Sequence, residues 1–124
     1  MKAVKAPCRP RAGQGAFTGV IHCYSSSRRL AERAVAAGLC LGLGGVLTFK
    51  RSDEIRATVR DMPLERLLLE TDAPYLAPVP VRGKTNEPAH VVHTLAALAA
   101  LRGEDANELA RQIDANAATV FSLP

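Results

Sequence analysis

No run in the 124-residue sequence approaches the roughly 18 apolar residues that a membrane span needs. The opening residues, MKAVKA, also lack the apolar core of a secretory signal. A cytoplasmic protein with no membrane partner is the expectation. Cysteine is scarce and unpatterned: Cys8, Cys23 and Cys40 are odd in number and show no C-x-x-C spacing. Neither a disulfide framework nor a zinc knuckle is indicated, and reduced thiols are expected. Acids are absent before Gly15, where Lys2, Lys5, Arg9 and Arg11 all lie. The other basic residues balance the 12 acids, so the net charge of +4 belongs to the first residues alone. Such tails are more often solubilising or accidental sequence than a nucleic-acid footprint. Residues 1–14 therefore read as a basic, disordered tail and 15–124 as the folded portion. Internal repeats and low-complexity tracts are absent too.

What remains is 48% hydrophobic and 23% charged, suited to a small globular domain with a modest core. "AFTGVIHCY" (Ala16 to Tyr24) has strand composition, and the serines after it suit the cap of a helix from Arg28 to Ala37. Gly38 suits the left-handed residue that ends that helix. "LCLGLGGVLTF" (Leu39 to Phe49) predicts a second strand, loosened by Gly42, Gly44 and Gly45. Ser52, followed by Asp53 and Glu54, predicts a capped helix to Asp61. Arg66 to Thr71 predicts a third strand. A proline-rich loop from Ala73 to Glu87 follows, and Pro88 opens a helix that Gly103 closes. "DANE" (Asp105 to Glu108) resembles a capping box for one more helix, and a last short helical run reaches Phe121. The order β-α-β-α-β-α-α predicts an α/β fold with a parallel sheet and right-handed crossovers.

The stretch "LLLETDAPYLAP" (Leu67 to Pro78) ends a buried apolar strand on Glu70 and Asp72, then breaks into prolines. Carboxyl ends of parallel strands are where α/β sheets and barrels collect their chemistry. His22 closes the first strand as Asp72 closes the third, so the two can meet at one mouth. An imidazole and a carboxylate there suit a divalent metal: zinc or manganese with nitrogen and oxygen ligands, magnesium if carboxylates complete the set. The bland alternative is a His bonded to a carbonyl and an Asp capping its own turn. Glu70 shares the face of Asp72 and suits either a supporting contact to a ligand or a structural salt bridge. A Cys23–His22 nucleophilic pair fails, because neighbours on a strand point to opposite faces. Cys23 is expected among the helices as a small buried hydrophobe. Arg82 and Lys84 precede a helix N-terminus in the loop after Asp72, a combination that suits phosphate or a solvated loop. His90 and His93, one turn apart, lack the rest of a zinc motif.

Taken in order, "GVIHCYSSS", "GLGGVLTFK", "LLLETDAPYLAP", "RGKTNEPAHVV" and "NAATVF" resemble the C-terminal part of the TatD family of metal-dependent hydrolases and deoxyribonucleases. The resemblance covers Gly15 to Phe121. It implies about three strands, with their helices, of an amidohydrolase-like TIM barrel whose complete form needs about 250 residues. It assigns His22 and Asp72 to a site for divalent metal (Mg, Mn or Zn), with Asp72 also handling the proton of the attacking water. Glu70, Arg82 and Asn86 would support the ligands or the substrate loop. The implied reaction is hydrolysis of DNA phosphodiesters by metal-activated water. Hydrolysis of another ester, such as an aminoacyl-tRNA, is the rival within the class. A catalytically inactive truncated fragment is the rival outside it. The family's H-x-H pair, a glutamate and a further histidine are expected upstream of Gly15, and "HCYSS" has Ser26 where the family usually has glycine. Self-association, or pairing with a missing N-terminal half, is the expected consequence of the exposed strand edges.

Overall fold

The computed structural model describes residues 18–124. The basic segment 1–14 and Cys8 lie outside them. Three parallel strands, β1 (Val20–Ile21), β2 (Cys40–Leu43) and β3 (Leu67–Leu69), form one sheet in the order β1-β2-β3. Val20 lies opposite Cys40, and Leu41, Gly42 and Leu43 lie opposite Leu67, Leu68 and Leu69. The helices are α1 (Arg28–Ala36), α2 (Asp53–Asp61), α3 (Val91–Arg102) and α4 (Ala106–Val120).

Local chemistry sets most helix ends. Ser27 accepts from the Leu30 N–H at 3.2 Å to start α1. Gly38 and Gly103 follow α1 and α3 at φ +90° and +64°, where a Cβ would be strained. The Asp105 carboxylate accepts from the N–H groups of Asn107 and Glu108, both at 3.0 Å, to start α4. This last helix runs unbroken to Val120 rather than as a helix and a separate short run.

Three expectations are corrected. The second strand ends at Leu43 and gives way to a 3₁₀ turn over Gly45–Thr48, where a Cβ on Gly45 would collide with the backbone of Leu76 and Pro78. Ser52 holds the cap position of α2 without a side-chain cap bond, its backbone lying outside the extended region that capping uses. Pro88 opens a 3₁₀ turn, Pro88–His90, before α3 begins.

Alternation along β2 separates two tasks. Leu41 and Leu43 enter the apolar core with Leu67, Ala31, Ala34, Val59, Leu98 and Leu109. Burying each leucine contributes roughly 1.5–3 kcal/mol. Gly42 and Gly44 occupy the other face. Polar anchors join the layers: buried Asn116 on α4 donates to the carbonyls of Leu64 and Leu67 at 2.8 and 2.9 Å. Arg102 donates to the carbonyls of Val59, Arg60 and Met62 at the end of α2, where positive charge suits the helix dipole.

Candidate metal centre

The loops leaving β1 and β3 at the carboxyl end of the sheet bring three side chains together. His22 Nδ1 lies 2.9 Å from the Glu70 carboxylate, and His22 Nε2 lies 3.3 Å from Asp72 Oδ1. One donor atom from each residue fits within 4.8 Å of the others. His22 is largely exposed, whereas the side chains of Glu70 and Asp72 are mostly covered.

Backbone conformation makes this convergence. β1 stops at Ile21, so His22 and Cys23 belong to a turn and not to the strand. Cys23 adopts φ +50°, and its N–H donates to Glu70 Oε1 at 2.6 Å. One carboxylate thus holds both the imidazole and the turn that carries it. The expected placement of Cys23 is corrected here: the residue is half-buried beside Asp72, not enclosed among the helices. Alternation across a strand does not apply once the strand has ended. Burial and the adjacent Asp72 carboxylate push the Cys23 thiol up to about 11, so it is no thiolate nucleophile at neutral pH. Asp72 itself sits at φ +57°, a region that aspartate tolerates better than most residues.

The glycines read as loosening the second strand instead make room. A Cβ at Gly44 would stand 2.6 Å from Asp72 Oδ2, and one at Gly42 would collide with Glu70 Oε2. The signal was present as Gly-x-Gly at the end of β2 facing Glu-x-Asp after β3, but it becomes readable only with the register known.

These residues fit a divalent cation. The hydrogen bond to Glu70 selects the Nδ1–H tautomer of neutral His22, leaving the Nε2 lone pair facing Asp72 Oδ1. Two electron-rich atoms across 3.3 Å call for a positive species between them, and donors bonded at about 2.1 Å to one ion can have that separation. Asp72 Oδ2 is buried with no hydrogen-bond partner among the described residues. Such an orphan is costly unless a ligand uses it. Hydrogen bonding to Glu70, then its charge, raises the His22 pKa above the ordinary 6.5. Burial, with Asp72 nearby, raises that of Glu70.

The sign of the pH effect follows. A metal needs neutral imidazole, so affinity should fall as pH drops through the raised His22 value. Glu70→Gln removes the charge that favours imidazolium and should lower the His22 pKa. NMR titration of the His22 ring protons checks this, and an unchanged titration in the variant would show that Glu70 does not hold the ring.

Asn86, Arg82, His90 and His93 stand apart from the cluster. Asn86 is buried and donates Nδ2 to the carbonyls of Thr71 and Tyr75, at 2.5 and 2.9 Å, clasping the loop that carries Asp72. The Arg82 guanidinium lies 3.8 Å above the centre of the Phe49 ring, tying the loops after β2 and β3 together. His90 Nε2 lies 3.3 Å from the Glu87 carboxylate, and its ring centre is 6.0 Å from that of His93. The described acids bring no third donor to that histidine pair.

The chain as a whole resembles known proteins in sequence and in fold. The family model for TatD-related DNases matches residues 4–122. An uncharacterized metal-dependent hydrolase, YcfH of Escherichia coli K12, is 41% identical over 105 residues, covering 85% of this chain and 40% of that relative. A protein named 3′-5′ ssDNA/RNA exonuclease TatD, from Erwinia billingiae, is 44% identical over 110 residues, covering 85% of this chain and 42% of its own length. The crystal structure of YjjV, a TatD homolog from Escherichia coli K12, superimposes with a TM-score of 0.79 at 39% identity, over 86% of this chain and 41% of that one. The three-stranded parallel sheet is thus part of a TatD-type TIM barrel, and the chain spans about two fifths of the length of these relatives. With its family model matched over nearly its whole length, the chain belongs to the TatD-related DNase family.

Proposed function

We propose that this chain carries part of the divalent-metal centre of a TatD-type hydrolase that cleaves nucleic-acid phosphodiesters. The observation behind this reading is the cluster His22–Glu70–Asp72 on the cradle of Gly42 and Gly44, at the carboxyl end of parallel strands. The relative from Erwinia billingiae is named for exonuclease action on ssDNA and RNA, which favours nucleic acid over other esters as substrate.

His22, through Nε2, and Asp72 would hold the ion, while Glu70 keeps the imidazole in place from Nδ1. The chemistry such an ion supplies when bound is activation of water and relief of negative charge on the phosphoryl oxygens. Asp72 stands where it can take the proton of an attacking water, its Oδ2 having no other partner among the described residues. The loop clasped by Asn86 keeps that carboxylate still.

Two donors are fewer than the three protein ligands of a typical catalytic zinc site. The reading therefore includes further barrel strands pairing with β1 and β3, each of which pairs on one side only among the described residues. A groove of about 380 Å³ lined by Val20, Leu68, Val91, Leu95, Ile113 and Phe121 offers apolar surface to such a partner.

The test mixes this chain with a separately expressed N-terminal portion of a family member. Hydrolysis of a single-stranded oligonucleotide should appear on mixing, vanish with EDTA and return with Mg²⁺ or Mn²⁺. Self-association of the chain, seen by sedimentation, should give way to the mixed complex. A mixed complex that forms but shows no metal-dependent cleavage would sink the reading.

A further inference from the structure

The side chain of Tyr75 is 74% exposed, more than any other large apolar side chain among the described residues. Single exposed aromatics are ordinary, so exposure by itself decides nothing. What distinguishes Tyr75 is its mounting. Its N–H donates to the Asp72 carbonyl at 2.9 Å, closing a turn that holds the two Cα atoms within about 7 Å. Its own carbonyl accepts from Asn86 Nδ2 at 2.9 Å, and the Asn86 N–H donates to the Pro74 carbonyl at 3.0 Å. Asn86 is only 3% exposed, so this clasp is shielded from competing water. The backbone bearing the Asp72 carboxylate and the backbone bearing the Tyr75 ring are therefore one rigid piece.

Resting on the hydrolase reading above, we infer that Tyr75 is a stacking platform for the base of the nucleotide next to the phosphate at Asp72. An aromatic face held out to solvent beside a phosphate-handling carboxylate suits a base whose own face is free. Single strands offer such faces, whereas in a duplex neighbouring base pairs occupy them. Stacking is tolerant of sequence because every base has a π-face. The platform would select single-stranded ends over duplex without reading sequence. Arg82, its guanidinium on the Phe49 ring, and exposed Lys84 follow on the same loop and add positive charge that favours a phosphate backbone.

The experiment uses the full chain and fluorescently labelled 12-mers in Mg²⁺: oligothymidine, an abasic strand with the same number of phosphates, and a matched duplex. Binding is read by anisotropy, with strand integrity checked afterwards. Tyr75→Ala should weaken oligothymidine binding about tenfold, within the range for one lost base stack, and leave abasic and duplex binding unchanged. Tyr75→Phe, which keeps the ring, should bind as the parent does. Because the ring is exposed, circular dichroism should show both variants folded. Oligothymidine binding by Tyr75→Ala equal to the parent would overturn the stacking role alone. A parent chain that binds none of the three probes would overturn it together with the nucleic-acid reading.

Discussion

Asp72→Asn in the completed barrel should lower metal-dependent hydrolysis about 10³-fold, within the 10²–10⁴ range ascribed to one positioned acid–base group. The same change should leave the fold intact and stability equal or slightly raised. The reason is electrostatic. The Asp72 carboxylate lies near that of Glu70, adding to the factors that raise the Glu70 pKa, and its Oδ2 is buried without a partner among the described residues. An amide of the same shape removes the repulsion while losing the charge that holds a cation and the basicity that takes a proton. Activity lost without stability lost marks a group kept for function. Retained turnover, or a clear drop in melting temperature, would make Asp72 a structural turn residue instead.

The second large effect falls on glycines that touch no substrate. Gly44→Ala would set a methyl 2.6 Å from Asp72 Oδ2, and Gly42→Ala would set one into the Glu70 carboxylate. Each colliding partner is the far end of a side chain rather than backbone, so it can shift at the expense of the contacts that position it. Stability should therefore change little, while metal affinity falls roughly 10- to 100-fold, as for the loss of a supporting contact to a ligand. Gly45→Ala is the contrast, because its Cβ would meet the backbone of Leu76 and Pro78, which cannot move independently. That variant should lose about 3 kcal/mol, the upper end for an overpacked core. Thermal melts and metal titrations of the three variants separate the cases. Equal destabilisation by all three would contradict the distinction between cradle and core.

Local signals were the legible ones. Ser27, Gly38, Gly103 and Asp105 act within one turn of their own position, and each sits at the helix end its chemistry suggests. The apolar run before Glu70 was legible as a buried strand for the same reason, and the parallel order followed from the helices between strands. The convergence of His22 and Asp72 could be anticipated because both follow strands of one parallel sheet.

Features that depend on where a strand stops or which residue faces which were not legible. The face of Cys23 was misjudged because alternation was carried past Ile21 into a left-handed turn. Gly42 and Gly44 looked like weaknesses in β2, since their value lies in carboxylates more than 25 residues further along the chain. Asn86 read as a support for the ligands or the substrate loop, but its partners, the carbonyls of Thr71 and Tyr75, were not legible. Longer-range pairing decided each of these.

The most direct test of the metal centre is a Mn²⁺ titration of the chain followed by NMR of its three histidine rings. Paramagnetic broadening should strike the His22 ring first, at Mn²⁺ concentrations that leave His90 and His93 sharp, and should require far more Mn²⁺ in Asp72→Asn. Broadening that reaches all three rings together, or that is the same in Asp72→Asn, would contradict a metal site built on His22 and Asp72.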